Sequence, residues 1–531
     1  MTIRYRSSDA VNIVIDELVT DEVASRLNAG DPTLWGADVE SDASVKLSWL
    51  SLPETSRPLL AEIADLKAQL REQGLDQIVL VDTGSGALAA AAYCAASDVE
   101  LLILDSAEPQ HVARALGNDL AQTVLVVSSK SGAEQSSDAI RRIYEQAFTA
   151  AQVDYRDRIV VVTDPDSPLH TLAIERQYRR VFLADPHVGG HYAALSAFGL
   201  VPAGLAGADI AGVLDDAAAI SPALATNDAS NPAIALAAVL SAALHTRTDK
   251  LVFADGGAAS FGLERWMKCF VAESAINCAT WLVPVLVESD EAIGYLRAGQ
   301  DAIKIAFGSD QIPAGGSRFA IAADGPIGLQ IMLWQYAIAI LGRLQDCNPF
   351  AQPNTAQVAD RVHKILDGSG NPNPPCATDA GIEIFAPGSW LRDVTDVRGA
   401  LDALAACVHP HGYVGVGAFL DHVSDVAAVS LRSAIAAKTA VQTTFEWGAG
   451  TAYASERAPA DGGGVFLQIT ASTDHDLPVC GCSYSLADLY LAQASDHAAV
   501  LADKALPVLR LHLTDRATGL ATIVKALDAP A

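Results

Sequence analysis

Between Gln77 and Asp164 the chain repeats one pattern four times. "QIVLVD" (Gln77–Asp82), "VELLILD" (Val99–Asp105), "TVLVVSS" (Thr123–Ser129) and "RIVVVTD" (Arg158–Asp164) are continuous apolar runs of strand length. Each ends in Asp or Ser, residue types that cap a following helix. Helical patterns such as "HVARAL" and "SSDAIRRIYEQAFTAAQ" lie between them. Strands that are apolar on both faces, with helices in between, are buried on both sides, which requires a parallel sheet with helices on each face. Residues 75–220, centred on Leu75–Val201, therefore read as one doubly wound α/β domain.

A second α/β domain is expected over residues 221–366. Its strand candidates are "DKLVFAD" (Asp249–Asp255), "WLVPVLVES" (Trp281–Ser289), "FAIAAD" (Phe319–Asp324) and, further on, "GVFLQIT" (Gly464–Thr470). The apolar helix "GLQIMLWQYAIAILGRL" belongs to this domain. The Pro/Gly/Asn-rich stretch "DGSGNPNPPCATDAG" (Asp367–Gly381) then marks a border. Residues 1–74 read as a helical N-terminal region. Residues 367–531 read as a helical C-terminal region that packs back on the two domains, with "PVLRLHLTD" (Pro507–Asp515) as a closing strand.

Charge narrows the partners. The 531 residues carry 63 acidic and 35 basic side chains, a formal charge of −28. Nucleic acid and anionic membrane would both be repelled, so neither is expected as a partner. The eight cysteines are scattered, and only Cys480 and Cys482 are close, at a spacing that fits neither a zinc knuckle nor a redox pair. Free thiols in a reducing compartment are the expectation. The N-terminus has no apolar run suited to a signal peptide. No stretch reaches the roughly 18 uninterrupted apolar residues of a membrane span. A cytoplasmic location follows. The twelve histidines form no ligand-spaced cluster with the acids, so neither metal nor cofactor is expected.

In an open parallel sheet, ligands sit beyond the carboxyl ends of the strands. "TGSGAL" follows the first strand and supplies Gly84 and Ser85. "SSKSGAEQSS" follows the third and supplies Ser129, Lys130, Ser131, Glu134 and Ser137. Backbone N–H groups and serine hydroxyls at a helix N-terminus make an anion site, although the same pattern is also an ordinary serine cap. "HVGGHYAALSAFGLVPAGLAG" (His187–Gly207) adds a tight loop through Gly189 and Gly190. Where a cation would be expected beside such a loop, His191 stands instead.

These words together resemble the glucose-6-phosphate isomerase family, in the form that also occurs fused behind transaldolase. "VGGHYAALSAFGL" resembles V-G-G-R-F/Y-S-A-L-S-x-F-G-L, and "SSKSGAEQSSDAI" is similar to the phosphate loop S-K-S-G-S-T-x-E-T. "GLERWMKCFVAESAINCATWLVPV" and "GPIGLQIMLWQYAIAILGRLQDCNPFAQP" match two further family segments in order. The resemblance implies two sugar-isomerase domains, aldose–ketose isomerisation of a sugar phosphate through a cis-enediol, and a homodimer. It assigns the proton-moving base to Glu273 and places His191 at the position of the catalytic arginine. The phosphate site falls on Gly84, Ser85, Ser129, Lys130, Ser131, Glu134 and Ser137.

The chain departs from the family at most chemical positions. His191 replaces a permanent cation with a group mostly neutral at pH 7. Lys268 and Cys269 replace an E-Q pair, Asn277 replaces a lysine, and Glu134 replaces a threonine of the phosphate loop. Gln335 and Ala351 replace two acids. The late His/Lys segment has become "AGTAYASERAPADGG", with Tyr453 at the first histidine position. The sequence thus leads to a family member with impaired or lost catalysis and a binding or regulatory role, or a subunit beside a sugar-phosphate enzyme. An active glucose-6-phosphate isomerase with altered residues and an isomerase of a different, less anionic sugar are the alternatives.

Overall fold

A computed structural model describes residues 2–256, 262–276, 278–352, 354–368, 374–388, 390–448 and 463–528. The chain opens on a short strand, β1 (Thr2–Tyr5), which the sequence did not announce. Helices follow, ending in Arg57–Glu72, whose Ile63, Leu66 and Leu70 recur at helical spacing and are buried.

The first sheet then forms as expected from the repeated apolar runs. β2 (Gln77–Val81), β3 (Leu102–Leu104), β4 (Thr123–Ser128), β5 (Ile159–Thr163) and β6 (Arg180–Leu183) are parallel throughout, in the order β3-β2-β4-β5-β6. The strand order reverses between β2 and β4, so their carboxyl ends flank a crevice. The residues that cap the following helices are not the strand-terminal aspartates. The N-cap positions belong to Gly84, Glu108, Glu134 and Ser167. Asp82 and Asp164 are left for other work.

The second sheet contains β7 (Lys250–Ala254), β8 (Val283–Val287), β9 (Ala302–Phe307) and β10 (Phe319–Asp324), all parallel, with β1 antiparallel on β10. β9 escaped the sequence reading because Lys304 interrupts its apolar run. The chain satisfies that lysine by turning Nζ to the Ala314 carbonyl at 3.1 Å, over the Tyr295 ring.

The C-terminal region holds the expected helices and, in addition, a third sheet. Its strands are β11 (Ala377–Asp379), β12 (Ile382–Phe385), β13 (Tyr413–Phe419), β14 (Gln442–Trp447), β15 (Gly464–Ala471) and β16 (Val508–Leu513), in the order β11-β12-β16-β15-β13-β14. "GVFLQIT", expected in the second sheet, is β15 of this third one. A buried apolar run announces a strand but not which distant strand it pairs with. β13 was missed because glycines dilute its pattern. Gly415 is required there, since a Cβ would lie 2.7 Å from the Phe466 ring of β15.

The helix Ile327–Leu344 is long and apolar enough to cross a membrane, yet 83% of it is buried against the rest of the protein. It packs on the helices Ile210–Leu224 and Pro232–His245. One cysteine expectation fails. Cys278 and Cys347 are joined as a disulfide, which no local spacing could signal across a separation of 69 residues. Cys94 and Cys269 are buried free thiols, whereas Cys376, Cys407 and Cys480 are exposed.

Candidate functional site

The crevice between β2 and β4 holds a carboxylate that the sequence reading passed over. Asp82 is buried. It accepts hydrogen bonds from the Gly84 amide and the Ser128 hydroxyl, each at 2.7 Å. Burial raises its pKa to about 6, with the charges of Glu134 and Asp105 adding to the effect. Its only sequence signal was its place at a strand end beside the switch point.

Glu273 closes the helix Leu263–Glu273 and is half-buried. The Cys269 thiol, one turn earlier, donates to Oε1 at 3.3 Å. Burial pushes the carboxyl up to about 7, with the Asp82 charge also raising it. Two carboxylates therefore influence one another across this crevice, and both titrate near neutrality. The same helix is tied to the third sheet: Lys268 Nζ lies 2.6 Å from Glu446 Oε1 and donates to the Phe445 carbonyl at 2.6 Å, both at the end of β14.

The serine loop is occupied by its own side chain. The Ser129 hydroxyl donates to Glu134 in a very short contact, and Ser131 Oγ reaches Glu134 Oε1 at 3.4 Å. The Gly132 and Ala133 amides donate to Ser129 Oγ at 2.8 Å and Ser131 Oγ at 3.1 Å. Lys130 is engaged elsewhere. Its Nζ pairs with Asp164 at 2.7 Å, and burial lowers its pKa. Ser85 donates to the Gly190 carbonyl at 3.2 Å and so packs the glycine loop against the helix Ser85–Ala96. Ser129, Glu134 and Ser137 line a cleft of about 290 Å³ together with Asp138, Arg141 and Leu169.

Arg141 is a second residue the sequence reading missed. It is buried. Nη2 reaches Asp138 at 2.6 Å, and Nη1 reaches Glu145 at 2.8 Å and the Tyr178 hydroxyl at 3.0 Å. Its Nε, like the Ser137 hydroxyl, is buried with no hydrogen-bond partner among the described residues. The available signal was the i, i+3 and i, i+4 spacing of Asp138, Arg141 and Glu145 on one helix face.

His191 does not join this site. It is buried between the Tyr192 and Phe270 rings, with Nε2 donating to the Pro349 carbonyl at 2.8 Å. Burial lowers its pKa to about 4. The candidate role that the resemblance gave His191, at the position of the catalytic arginine, is therefore corrected: His191 is a neutral core residue. Gln335 likewise serves the interior, donating to the Tyr192 carbonyl at 3.0 Å. Asn277 and Tyr453 lie outside the described residues. Among the described residues, no three His, Cys, Asp or Glu side chains are grouped so as to hold a metal ion.

Solved structures share this fold. A hypothetical protein from Thermus thermophilus superposes with a TM-score of 0.55 at 22% identity, covering 69% of this chain and 100% of its own. A glucose-6-phosphate isomerase from Chlamydia trachomatis gives 0.52 at 16% identity, covering 70% of this chain and 89% of its own. The fold is that of a sugar isomerase.

No family model matches the chain. Curated relatives match part of it. A probable glucose-6-phosphate isomerase of Haloarcula marismortui is 31% identical over 201 residues, 37% of this chain and 44% of that protein. A glucose-6-phosphate isomerase of Thermus thermophilus is 34% identical over 176 residues, 32% of this chain and 41% of that protein. The chain thus spans less than half the length of these curated relatives. Within this fold, Asp82 and Glu273 influence one another's charge, and the Glu134 carboxylate takes the hydroxyls of the serine loop.

Proposed function

We infer that this chain is a member of the glucose-6-phosphate isomerase family in which turnover of glucose 6-phosphate is weak or absent, the fold serving a binding or regulatory role. One observation carries the reading: the Glu134 carboxylate takes the Ser129 and Ser131 hydroxyls. A phosphate offered to the same donors meets a like charge. Two unit charges about 4 Å apart at an effective dielectric of about 20 repel by about 4 kcal/mol. The expected cation is missing as well, because His191 is buried and neutral. Losing one preorganised charge stabiliser typically costs about 10²–10³ in rate.

Proton transfer itself remains chemically supported. Glu273 has a pKa of about 7, the value that suits a general base at neutral pH. This favours a second reading, isomerisation of a sugar that carries less negative charge. A coupled assay decides the first reading. Glucose 6-phosphate turnover should fall well below the ordinary enzyme range of about 1–10³ per second. Turnover within that range, abolished by Glu273→Gln, would overturn it.

A further inference from the structure

Two of the departures from the family pattern, Lys268 and Cys269, lie on the helix that ends in Glu273. Adjacent positions on a helix point about 100° apart, so the two side chains serve different neighbours. Lys268 is buried and reaches the third sheet, its Nζ 2.6 Å from Glu446 Oε1 and 2.6 Å from the Phe445 carbonyl. Cys269 binds along its own helix. Its buried thiol donates to Glu273 Oε1 at 3.3 Å, across one turn.

A carboxylate in this place is short of donors. Glu273 is the last residue of its helix, where the backbone presents carbonyls and the helix dipole is negative. Among the described residues, the Cys269 thiol is the only side-chain donor to it. Burial, and then the Glu273 charge, push the thiol well above its usual pKa, so it keeps its proton through the neutral range. A thiol is also a weak donor. It orients the carboxylate and favours its charged form, yet does not hold that form so firmly that it stops being a base.

We propose that Cys269 is a positioning residue for Glu273: its thiol fixes the direction of the carboxylate, while Lys268 moors the shared helix to the third sheet. Two replacements that read as losses of chemistry thereby support the carboxylate that remains. The proposal rests on the reading of Glu273 as the proton-moving group.

The test follows the Glu273 carboxyl by carbon-13 NMR on the full chain, labelled in glutamate, with Glu273→Gln to assign the signal. The native carboxyl should titrate at about 7. Cys269→Ala removes a donor to the charged form, so the midpoint should rise by about half a unit to one unit. Cys269→Ser restores a donor and should return the midpoint to the native value or below. A merely structural role predicts that the two variants act alike. Any order of the three midpoints other than alanine highest, with serine at or below native, would overturn the proposal and leave the proposed function standing. Should either variant fail to fold, the S–H stretching bands of the native protein decide. One band should move to lower frequency as Glu273 ionises and stay fixed in Glu273→Gln; bands indifferent to that titration would overturn the proposal. A native midpoint in the ordinary carboxylate range would instead remove Glu273 as the base, and the underlying reading would fall with the proposal.

Discussion

Glu134 reaches back five residues to the Ser129 hydroxyl, so the donors of the serine loop already hold a carboxylate from their own chain. The amides of Gly132 and Ala133 orient the two serines, and the serines present their protons to the Glu134 carboxylate. The neighbouring lysine does not compensate, because Asp164 neutralises it. An internal carboxylate has a very high effective concentration, and an external phosphate must displace it.

Glu134→Thr should therefore open the loop. Removing the carboxylate frees both hydroxyls and removes the repulsion, so affinity for inorganic phosphate or glucose 6-phosphate should rise at least 10-fold at low ionic strength, with the gain shrinking in high salt. Calorimetry on the native protein and the variant measures this. Equal affinities would mean that Glu134 swings clear of the loop in solution.

How much of this was legible in the sequence differs by level. The first sheet was plain, since each of its long strands is an unbroken apolar run buried on both faces. The third sheet was not, because Gly415 and Gly417 dilute β13 and the pairing of β12 with β16 spans more than a hundred residues. Within the site, Glu273 and Glu134 could be found from motif positions. Asp82 was mistaken for a helix cap, although it binds the Gly84 amide and Ser128 instead. His191 was placed in a cleft because residue type does not report burial. The Pro349 carbonyl that holds it comes from a segment 158 residues away.

The crevice carboxylates give stability a definite pH dependence. Glu273 titrates at about 7 and Asp82 at about 6, raised first by burial and then by neighbouring charge. Between pH about 4 and 7 the native state binds more protons than the unfolded chain. Their contribution is thus fully present below pH about 4 and is lost as pH rises through 7. Glu273→Gln removes part of this loss. Urea unfolding should find the variant about 1–3 kcal/mol more stable at pH 8, with the difference vanishing toward pH 4.5. A difference that does not change with pH would show that Glu273 is solvated and ionised in the native state.

The buried histidines act in the opposite direction. His111, His191 and His497 are each lowered to about 4 by burial. The unfolded chain, with pKa near 6.5, takes up protons that the native state refuses. Stability from these groups is present above pH about 6.5 and falls as pH drops toward 4, by up to about 3 kcal/mol per histidine. The direct check is the His191 ring resonance, which should not titrate between pH 7.5 and 5. Titration near pH 6.5 would return His191 to a solvated cleft and restore its candidacy as a cation.

The disulfide offers the last check, because it joins the segment after Glu273 to the one that holds His191 in the core. Cys278 lies five residues after Glu273, and Cys347 lies two residues before the Pro349 whose carbonyl holds His191. Both sulfurs are buried, while six cysteines remain free. Alkylation of the fully denatured protein without reductant should therefore label six thiols, and eight after reduction. Closing a loop of this length restricts the unfolded chain enough to stabilise the native state by about 4 kcal/mol in the chain-entropy account. Replacing both cysteines with alanine should lower the unfolding free energy by a substantial part of that amount. The mobility it releases should appear as faster amide exchange between Ser274 and Cys278 and between Cys347 and Phe350. Eight thiols labelled without reductant would show that the two cysteines are reduced in the isolated protein, and the double alanine variant should then unfold within about 1 kcal/mol of the native chain.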